Sequence, residues 1–154
     1  MTVAVGKKVP GFTSAATGGQ DWSLGGAAGE TLVLYFYPKD MTTGCTLESQ
    51  QFRDLHAAFR RAKVRVLGIS RDSVASHDKF RQKEKLPFDL LSDPDEKLCK
   101  LFDVIKEKSL YGRKYSGIER STFLIDGKGV LRQEWRKVKV AGHAEEVLEA
   151  AKSL

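Results

Sequence analysis

The chain has 154 residues, of which 41% are hydrophobic and 30% are charged, and it carries a net charge of +6 at pH 7. These proportions exclude a fibrous chain and an intrinsically disordered one, and the length predicts a single domain over residues 1–154. The basic pairs at residues 60–61 and 136–137 lack the interleaved aromatic residues of a nucleic-acid site, so we interpret them as solvated faces and expect no nucleic-acid partner.

Cysteine usage and the N-terminal segment indicate the compartment. Two cysteines cannot form a disulfide framework, and residues 1–10 contain no apolar run of signal-peptide length. No segment approaches the roughly 20 consecutive apolar residues that a membrane span requires. We therefore expect a cytoplasmic protein with no membrane partner, in which a conspicuous cysteine serves reactivity or packing rather than cross-linking.

The first predicted elements are an N-terminal hairpin and a buried strand. Residues 18–21, with the sequence Gly-Gly-Gln-Asp, form a predicted turn between two short extended pieces near Phe12 and Trp22. Residues 31–37 are a continuous run of apolar, aromatic and β-branched side chains, which is typical of a strand buried on both faces of a mostly parallel sheet. Pro38 ends this strand.

A helix and a second strand follow and complete a βαβ unit. Apolar residues recur at three- and four-residue steps, which predicts a helix over residues 44–61 with this stripe facing the sheet. Residues 64–70 are again apolar and β-branched and predict a parallel strand. Asp72 or Ser73 can cap the next helix, which extends toward Lys85.

The middle of the chain is less regular. Residues 86–91 predict a short strand, after which Asp93 is placed as the N-cap of a helix. Pro94 then occupies the first helical position and Glu96 the reciprocal capping position. The charged, glycine-bearing segment at residues 105–119 predicts a long loop.

The C-terminal part predicts a hairpin and a closing helix. Residues 121–126 and 130–135 flank a Gly-Lys-Gly turn, and a helix begins near His143. The order β, α, β, α, antiparallel hairpin and final α predicts an α/β protein with a thioredoxin-like fold. We expect a central mixed sheet flanked by helices, with the N-terminal hairpin as an extension.

Cys45 is the candidate reactive residue. In the first turn of the predicted helix, unsatisfied N–H groups and the positive end of the helix dipole favour a thiolate. Gly44 lets the backbone approach closely, Thr42 offers a hydroxyl, and Pro38 shields the pocket from water. From these features alone, a cysteine that only packs is an equally good interpretation. The spacing Pro38-x-x-x-Thr42-x-x-Cys45, however, resembles the active-site signature of the peroxiredoxins.

Further residues narrow the resemblance to one branch of that family. The Phe-Tyr-Pro-Lys-Asp run at residues 36–40, the Gly-Cys-Thr at 44–46 and Glu48 resemble the bacterioferritin comigratory protein, or peroxiredoxin Q, branch. Residues 117–126 extend the resemblance over nearly the whole chain. Where the branch usually has a proline before the Gly-Cys pair, this chain has Thr43, which predicts a less rigid entry into the helix.

The resemblance implies a thiol peroxidase that acts in antioxidant defence on hydrogen peroxide and organic hydroperoxides, without a cofactor. The Cys45 thiolate would attack the terminal peroxide oxygen and become a sulfenic acid. Thr42 would position the peroxide, Arg120 would stabilise the thiolate and the developing charge, and Pro38 would complete the site. For Glu48 we prefer the role of a first-turn carboxylate at the helix N-terminus over that of a residue that orients the active-site loop.

The thiol that completes the cycle is less evident. The commonest resolving position of the branch, five residues after Cys45, holds Gln50, and residues 73–85 contain no cysteine. Cys99 is the only other cysteine, and its place beside Leu98 favours packing, with an intramolecular disulfide to Cys45 as the alternative. We therefore expect a monomer whose sulfenic acid is resolved by thioredoxin, glutaredoxin or a small thiol.

Other protein classes fit the sequence less well. A thiol–disulfide oxidoreductase needs a Cys-x-x-Cys pair, and Glu48 occupies the place of the second cysteine. A zinc protein needs clustered ligands, whereas His56, His77 and His143 are dispersed, so we expect no metal. A non-enzymatic protein that senses redox state, binds nucleic acid or acts as a holdase stays open, because the fold and the positive charge would suit it.

Overall fold

The computed structural model describes residues 2–154, which form seven strands of one mixed sheet and a separate two-stranded hairpin. The sheet consists of β1 (Thr13–Ala16), β2 (Gln20–Ser23), β3 (Thr31–Phe36), β4 (Val64–Ser70), β5 (Leu90–Ser92), β8 (Ser121–Ile125) and β9 (Leu131–Trp135). The separate hairpin consists of β6 (Ile105–Leu110) and β7 (Arg113–Ile118). In space the sheet runs in the order β2-β1-β5-β4-β3-β8-β9.

Five α-helices accompany the strands in this part of the chain. They are α1 (Thr43–Asp54), α2 (His56–Arg61), α3 (Val74–Glu84), α4 (Lys97–Leu101) and α5 (His143–Lys152). The centre of the sheet is β3, which pairs in parallel with β4 and antiparallel with β8. The N-terminal hairpin joins through β1, which pairs antiparallel with β5. The predicted βαβ unit, mixed sheet and hairpin extension are therefore confirmed.

Alternation along β3 creates two core layers, one on each face of the sheet. We call them the Tyr35 layer and the Phe36 layer after the β3 residues that enter each. The Tyr35 layer takes side chains from α1, α2, α3 and α5, whereas the Phe36 layer takes them from α4 and the segment around Phe12. Large buried members of the first are Tyr35, Tyr37, Phe52, Phe59 and Phe80, and of the second Phe36, Phe102, Phe123, Leu67 and Ile69.

The helix predicted over residues 44–61 is two helices. Leu55 separates α1 from α2 because its φ of −95° and ψ of 2° lie outside the helical region. The apolar stripe continues across the break, since Phe52 and Phe59 both enter the Tyr35 layer. The apolar pattern predicted the buried face correctly. It did not predict the break, because the break depends on the backbone geometry of Leu55 alone.

The prediction of a long loop over residues 105–119 is wrong. β6 and β7 pair there along their whole length, and Tyr111 and Gly112 form the turn with φ of 51° and 76°. Two consecutive positive φ values match the type I′ turn that joins tight hairpins. Most side chains of this hairpin are exposed or half-buried, so its sequence shows no apolar alternation.

The helix start predicted with Asp93 as N-cap is three residues too early. α4 begins at Lys97, and Glu96 before it has a left-handed φ of 62°, which no residue in a helical first turn adopts. The Asp93 carboxylate nevertheless accepts hydrogen bonds from the backbone N–H groups of Leu98 and Cys99. Asp93 therefore accepts from two backbone donors at the start of this helix while it lies outside the helix.

Two further predictions concern α3 and β5. Ser73 caps α3 as expected, because its hydroxyl accepts a hydrogen bond from the Ser76 N–H. The strand predicted at residues 86–91 is shorter and lies at Leu90–Ser92.

Within residues 2–154, no helix has both the length and the apolar character needed to cross a bilayer.

Candidate active site

Cys45 is the third residue of α1, directly after the loop of residues 37–42 that joins β3 to this helix. It is 1% exposed and lies in the Tyr35 layer. Thr42 occupies the N-cap without a side-chain bond to the helix, and its hydroxyl donates instead to the Lys39 carbonyl at 2.8 Å. Because Thr42 leaves the N–H groups of the first turn uncapped, these donors are available to a negative charge such as a thiolate.

Arg120 joins the cysteine to a carboxylate. Its Nη2 donates to the Cys45 sulfur at 3.4 Å and its Nη1 donates to Glu48 Oε1 at 2.6 Å. Arg120 precedes β8, so the sheet brings it beside a helix that is 75 residues away in the chain. Burial lowers the pKa of Arg120, but Glu48 and Cys45 outweigh this and hold it above its usual value. The guanidinium is therefore a permanent positive charge at the sulfur.

Glu48 is a buried partner of this arginine. We expected it to be a first-turn carboxylate at the helix N-terminus, and that prediction is wrong. It is the sixth residue of α1, and the first turn contains no acidic residue. Glu48 is 1% exposed, and its Oε2 has no hydrogen-bond partner in residues 2–154. Burial raises the pKa of Glu48 to about 7 although Arg120 opposes the rise. The carboxyl group thus changes charge close to neutral pH.

Known proteins share this arrangement of sequence and fold. The model of the AhpC/TSA family matches residues 5–134. Peroxiredoxin Bcp of Bacillus subtilis is 47% identical over 154 residues, which cover 100% of this chain and 98% of that protein. Peroxiredoxin Bcp of Xanthomonas campestris pv. campestris is 55% identical over 137 residues, which cover 89% of this chain and 86% of that protein. The chain is a peroxiredoxin of the AhpC/TSA family.

A solved structure agrees with this assignment. The bacterioferritin comigratory protein of Xanthomonas campestris, whose structures address its alkyl peroxide reduction activity, gives a TM-score of 0.89 at 52% identity. The match covers 92% of this peroxiredoxin and 90% of that chain. It confirms the thioredoxin-like fold and the bacterioferritin comigratory protein branch predicted from residues 36–48 and 117–126. This peroxiredoxin is a thiol peroxidase.

The structure joins two of the predicted site residues of this peroxiredoxin and places a third at the N-cap of the helix that carries Cys45. Arg120 contacts Cys45 directly, and Thr42 lies at the end of the helix that carries it. Pro38 is half-buried at the start of the 37–42 loop. Gly44 is needed for close approach, as expected, and the approaching group is Arg120: a Cβ at position 44 would lie 3.2 Å from its Nη2.

Cys99 is not part of this constellation. It is fully buried in the Phe36 layer, on the face of the sheet opposite to Cys45. Burial raises the pKa of Cys99 far above its usual value, and Asp93 raises it further. Cys99 is therefore a protonated, poorly nucleophilic thiol in an apolar core.

Sequence reasoning missed the polar groups that hold the site in place. The pairing of Glu48 with Arg120 has one sequence signal: Glu48 lies three residues after Cys45 and so shares its helix face. Tyr35 and Ser49 join their hydroxyl groups at 2.9 Å in the same layer, and Tyr35 stacks on Phe52. These contacts link β3 to α1 and fix the helix that carries the reactive sulfur.

Proposed function

We propose that Cys45 is the peroxidatic residue and that it reduces hydrogen peroxide and organic hydroperoxides. The Cys45 thiolate attacks the terminal peroxide oxygen, so that an S–O bond forms while the O–O bond breaks. Sulfur gives up two electrons, the leaving oxygen takes a proton and departs as water or an alcohol, and Cys45 becomes a sulfenic acid. The observation that carries this proposal is the 3.4 Å hydrogen bond from Arg120 to the sulfur. Alkyl peroxide reduction by the Xanthomonas campestris relative supports the organic substrates.

Thr42 positions the peroxide. Its hydroxyl proton is already donated to the Lys39 carbonyl, so the lone pairs of Oγ1 are left to accept a hydrogen bond from the peroxide O–H. Thr42 is exposed, which lets a substrate reach it from solvent. A peroxide held between this oxygen and the Cys45 sulfur is oriented for attack.

Arg120 stabilises the charge that moves during the reaction. Glu48 engages one terminal nitrogen of the guanidinium, which keeps the other directed at the Cys45 sulfur. As negative charge passes from sulfur to the leaving oxygen, the fixed positive charge of Arg120 lowers the energy of the transition state. Pro38 shields this polar centre from bulk water at the rim of the site.

A thiol from another molecule resolves the sulfenic acid. Cys99 is an unsuitable partner because the sheet separates it from Cys45 and its thiol stays protonated. Thioredoxin, glutaredoxin or a small thiol instead attacks the sulfenic sulfur, releases water and forms a mixed disulfide. A second thiol then displaces Cys45 as the free thiolate.

Intact-mass analysis after one equivalent of hydrogen peroxide tests this cycle. We expect the wild type and Cys99→Ser alike to gain one oxygen atom at Cys45, and Cys45→Ser to gain none. With thioredoxin or glutathione present, the wild type and Cys99→Ser, which both retain Cys45, should turn over peroxide. A wild-type chain that loses two hydrogens, with no such loss in Cys99→Ser, would show an internal disulfide. Full activity of Cys45→Ser would refute the mechanism.

We further propose that residues 1–154 act as a single-domain, cytoplasmic monomer in antioxidant defence, without a metal or cofactor. Sedimentation velocity should give one species at monomer mass with unchanged specific activity across dilution. Salt-sensitive binding of duplex DNA without peroxide turnover would favour the non-enzymatic alternative instead.

A further inference from the structure

A buried acid–histidine pair fastens the 37–42 loop to the rest of the fold. Asp40 Oδ2 lies 2.7 Å from His77 Nδ1, and both side chains are shielded, with 2% and 0% exposure. His77 belongs to α3, and its other nitrogen, Nε2, lies 2.9 Å from the Leu91 carbonyl on β5. One side chain of the loop is therefore tied through His77 to two separate elements.

The hydrogen-bond pattern assigns the protons of this pair. The Leu91 carbonyl oxygen can only accept, so Nε2 of His77 carries a hydrogen. Nδ1 faces a carboxylate oxygen at 2.7 Å, a distance that requires a proton between the two atoms. The contact is therefore a short hydrogen bond in which Asp40 Oδ2 and His77 Nδ1 share one proton.

Asp40 forms further hydrogen bonds through its carboxyl group and its backbone. The Tyr37 hydroxyl donates to Oδ1 at 2.6 Å and the Ser76 hydroxyl donates to Oδ2 at 2.9 Å. The Asp40 backbone N–H donates to Asp72 at 2.9 Å. Asp40, Asp72 and His77 are close enough to chelate a cation, since their ligand atoms lie within 4.8 Å of one another, but these hydrogen bonds occupy Asp40 Oδ2 and His77 Nδ1.

The loop needs such a restraint because its backbone is strained. Met41, directly after Asp40, has a left-handed φ of 64°, which a residue with a side chain adopts only when its surroundings hold it there. Thr42 follows Met41 at the N-cap position of α1, and Cys45 lies three residues further on. A change in the position of Asp40 therefore moves the Thr42 hydroxyl and the N–H groups in the first turn of α1.

We propose that Asp40 and His77 are positioning residues of the peroxidase reaction, which hold the 37–42 loop so that Thr42 and the start of α1 are aligned on the peroxide. This rests on the proposed role of Cys45. Because Cys45 is 1% exposed, the same restraint opposes the opening that an external thiol needs to reach its sulfenic acid. The pair therefore favours the peroxide step and slows the thiol step.

The experiment measures the two steps separately. One measurement is the second-order rate constant of Cys45 oxidation by hydrogen peroxide, from quenched single turnovers read by alkylation and intact mass. The other is the rate at which glutathione captures the preformed sulfenic acid. Excess peroxide, without thiol, gives a third readout as the rate of sulfinic acid formation, in which a second peroxide adds one more oxygen and leaves as water.

Two variants break the pair in different ways. In His77→Gln the amide nitrogen can replace Nε2 and keep the bond to Leu91 while it abandons Asp40. In Asp40→Ala the carboxyl group is removed, and with it the bonds to His77 and Tyr37. Leu131→Ala is the matched control, because it leaves a cavity in the Phe36 layer without touching the loop.

We expect both variants to oxidise about tenfold more slowly or worse, while glutathione captures their sulfenic acid about threefold faster and sulfinic acid forms more slowly. General destabilisation, as in Leu131→Ala, should not move the first two rates in opposite directions. The proposal is overturned if Asp40→Ala and His77→Gln keep both rates within about twofold of wild type, or if Leu131→Ala reproduces the pattern. If His77→Gln does not fold, Asp40→Ala alone decides by the same criteria. A wild type whose Cys45 does not react with peroxide would refute the proposed function itself.

Discussion

Replacing Glu48 with glutamine gives a sharp test of the electrostatics beneath Cys45. Glu48 is 1% exposed, and burial raises its pKa from the ordinary 4.5 to about 7 against the opposing effect of Arg120. The folded protein therefore binds a proton more tightly at this site than the unfolded chain does. Stability linked to this proton is fully present below about pH 4.5 and is lost as the pH rises through about 7.

The size of the effect follows from that difference in pKa. At about 1.4 kcal/mol for each pKa unit, a rise from 4.5 to about 7 corresponds to a linked free energy of unfolding of roughly 3 kcal/mol. Glu48→Gln cannot titrate, so between about pH 5 and pH 8 the wild type should lose up to this amount relative to the variant. The absolute stabilities also differ through the lost ion pair, but only the slope with pH reports the titration.

Urea unfolding at a series of pH values measures this slope. The control is Glu149→Gln, whose side chain is 73% exposed and should leave the pH dependence of the wild type unchanged. Parallel curves for wild type and Glu48→Gln across this range would show that Glu48 stays in one charge state. The reasoning from burial would then be wrong, and the ion pair with Arg120 would dominate instead.

The other predictions concern residues around the reactive sulfur. Arg120→Lys keeps a charge but not the fork that reaches Cys45 and Glu48, so kcat/KM for peroxide in stopped-flow assays should fall about hundredfold, and an unchanged value would exclude the transition-state role. Thr42→Val should lose about tenfold or more in the same assay while Thr42→Ser stays near wild type; equal losses would point to packing instead of the hydroxyl. Gly44→Ala should slow peroxide reduction severalfold with little change in melting temperature, because its methyl group displaces Arg120 Nη2; wild-type kinetics would mean that Arg120 can yield freely. Cys99→Ser should keep peroxide turnover within about twofold, since the sheet separates Cys99 from Cys45; loss of turnover would restore Cys99 as a resolving residue.

The sequence predicted those features that depend on local side-chain pattern. The strand at residues 31–37 and the stripe from Phe52 to Phe59 follow from burial, which selects apolar residues at fixed spacing. The β6–β7 hairpin escaped prediction because backbone hydrogen bonds, and not apolar alternation, hold its largely exposed strands. Only the Tyr111-Gly112 turn marked it.

The reactive cysteine was predictable, and the resemblance added Thr42 and Arg120, whereas the contacts that hold these groups in place were not predictable. Cys45 is identified by its position at a helix start and by its spacing of three residues from Thr42 in the sequence. The contact between Glu48 and Arg120 spans 72 residues, and that between Asp40 and His77 spans 37. Each depends on how strands and helices pack around β3, which no local spacing encodes.

The two layers of the fold have a consequence for engineering. Because β3 sends neighbouring side chains to opposite faces, the Phe36 layer and the layer that holds Cys45 have no buried apolar residue in common within residues 2–154. Changes in free energy from the two layers should then add within about 0.5 kcal/mol. Thermal tolerance can be raised by refilling the Phe36 layer while the chemistry on the other face is left untouched, so durability and reactivity are separately adjustable in this fold.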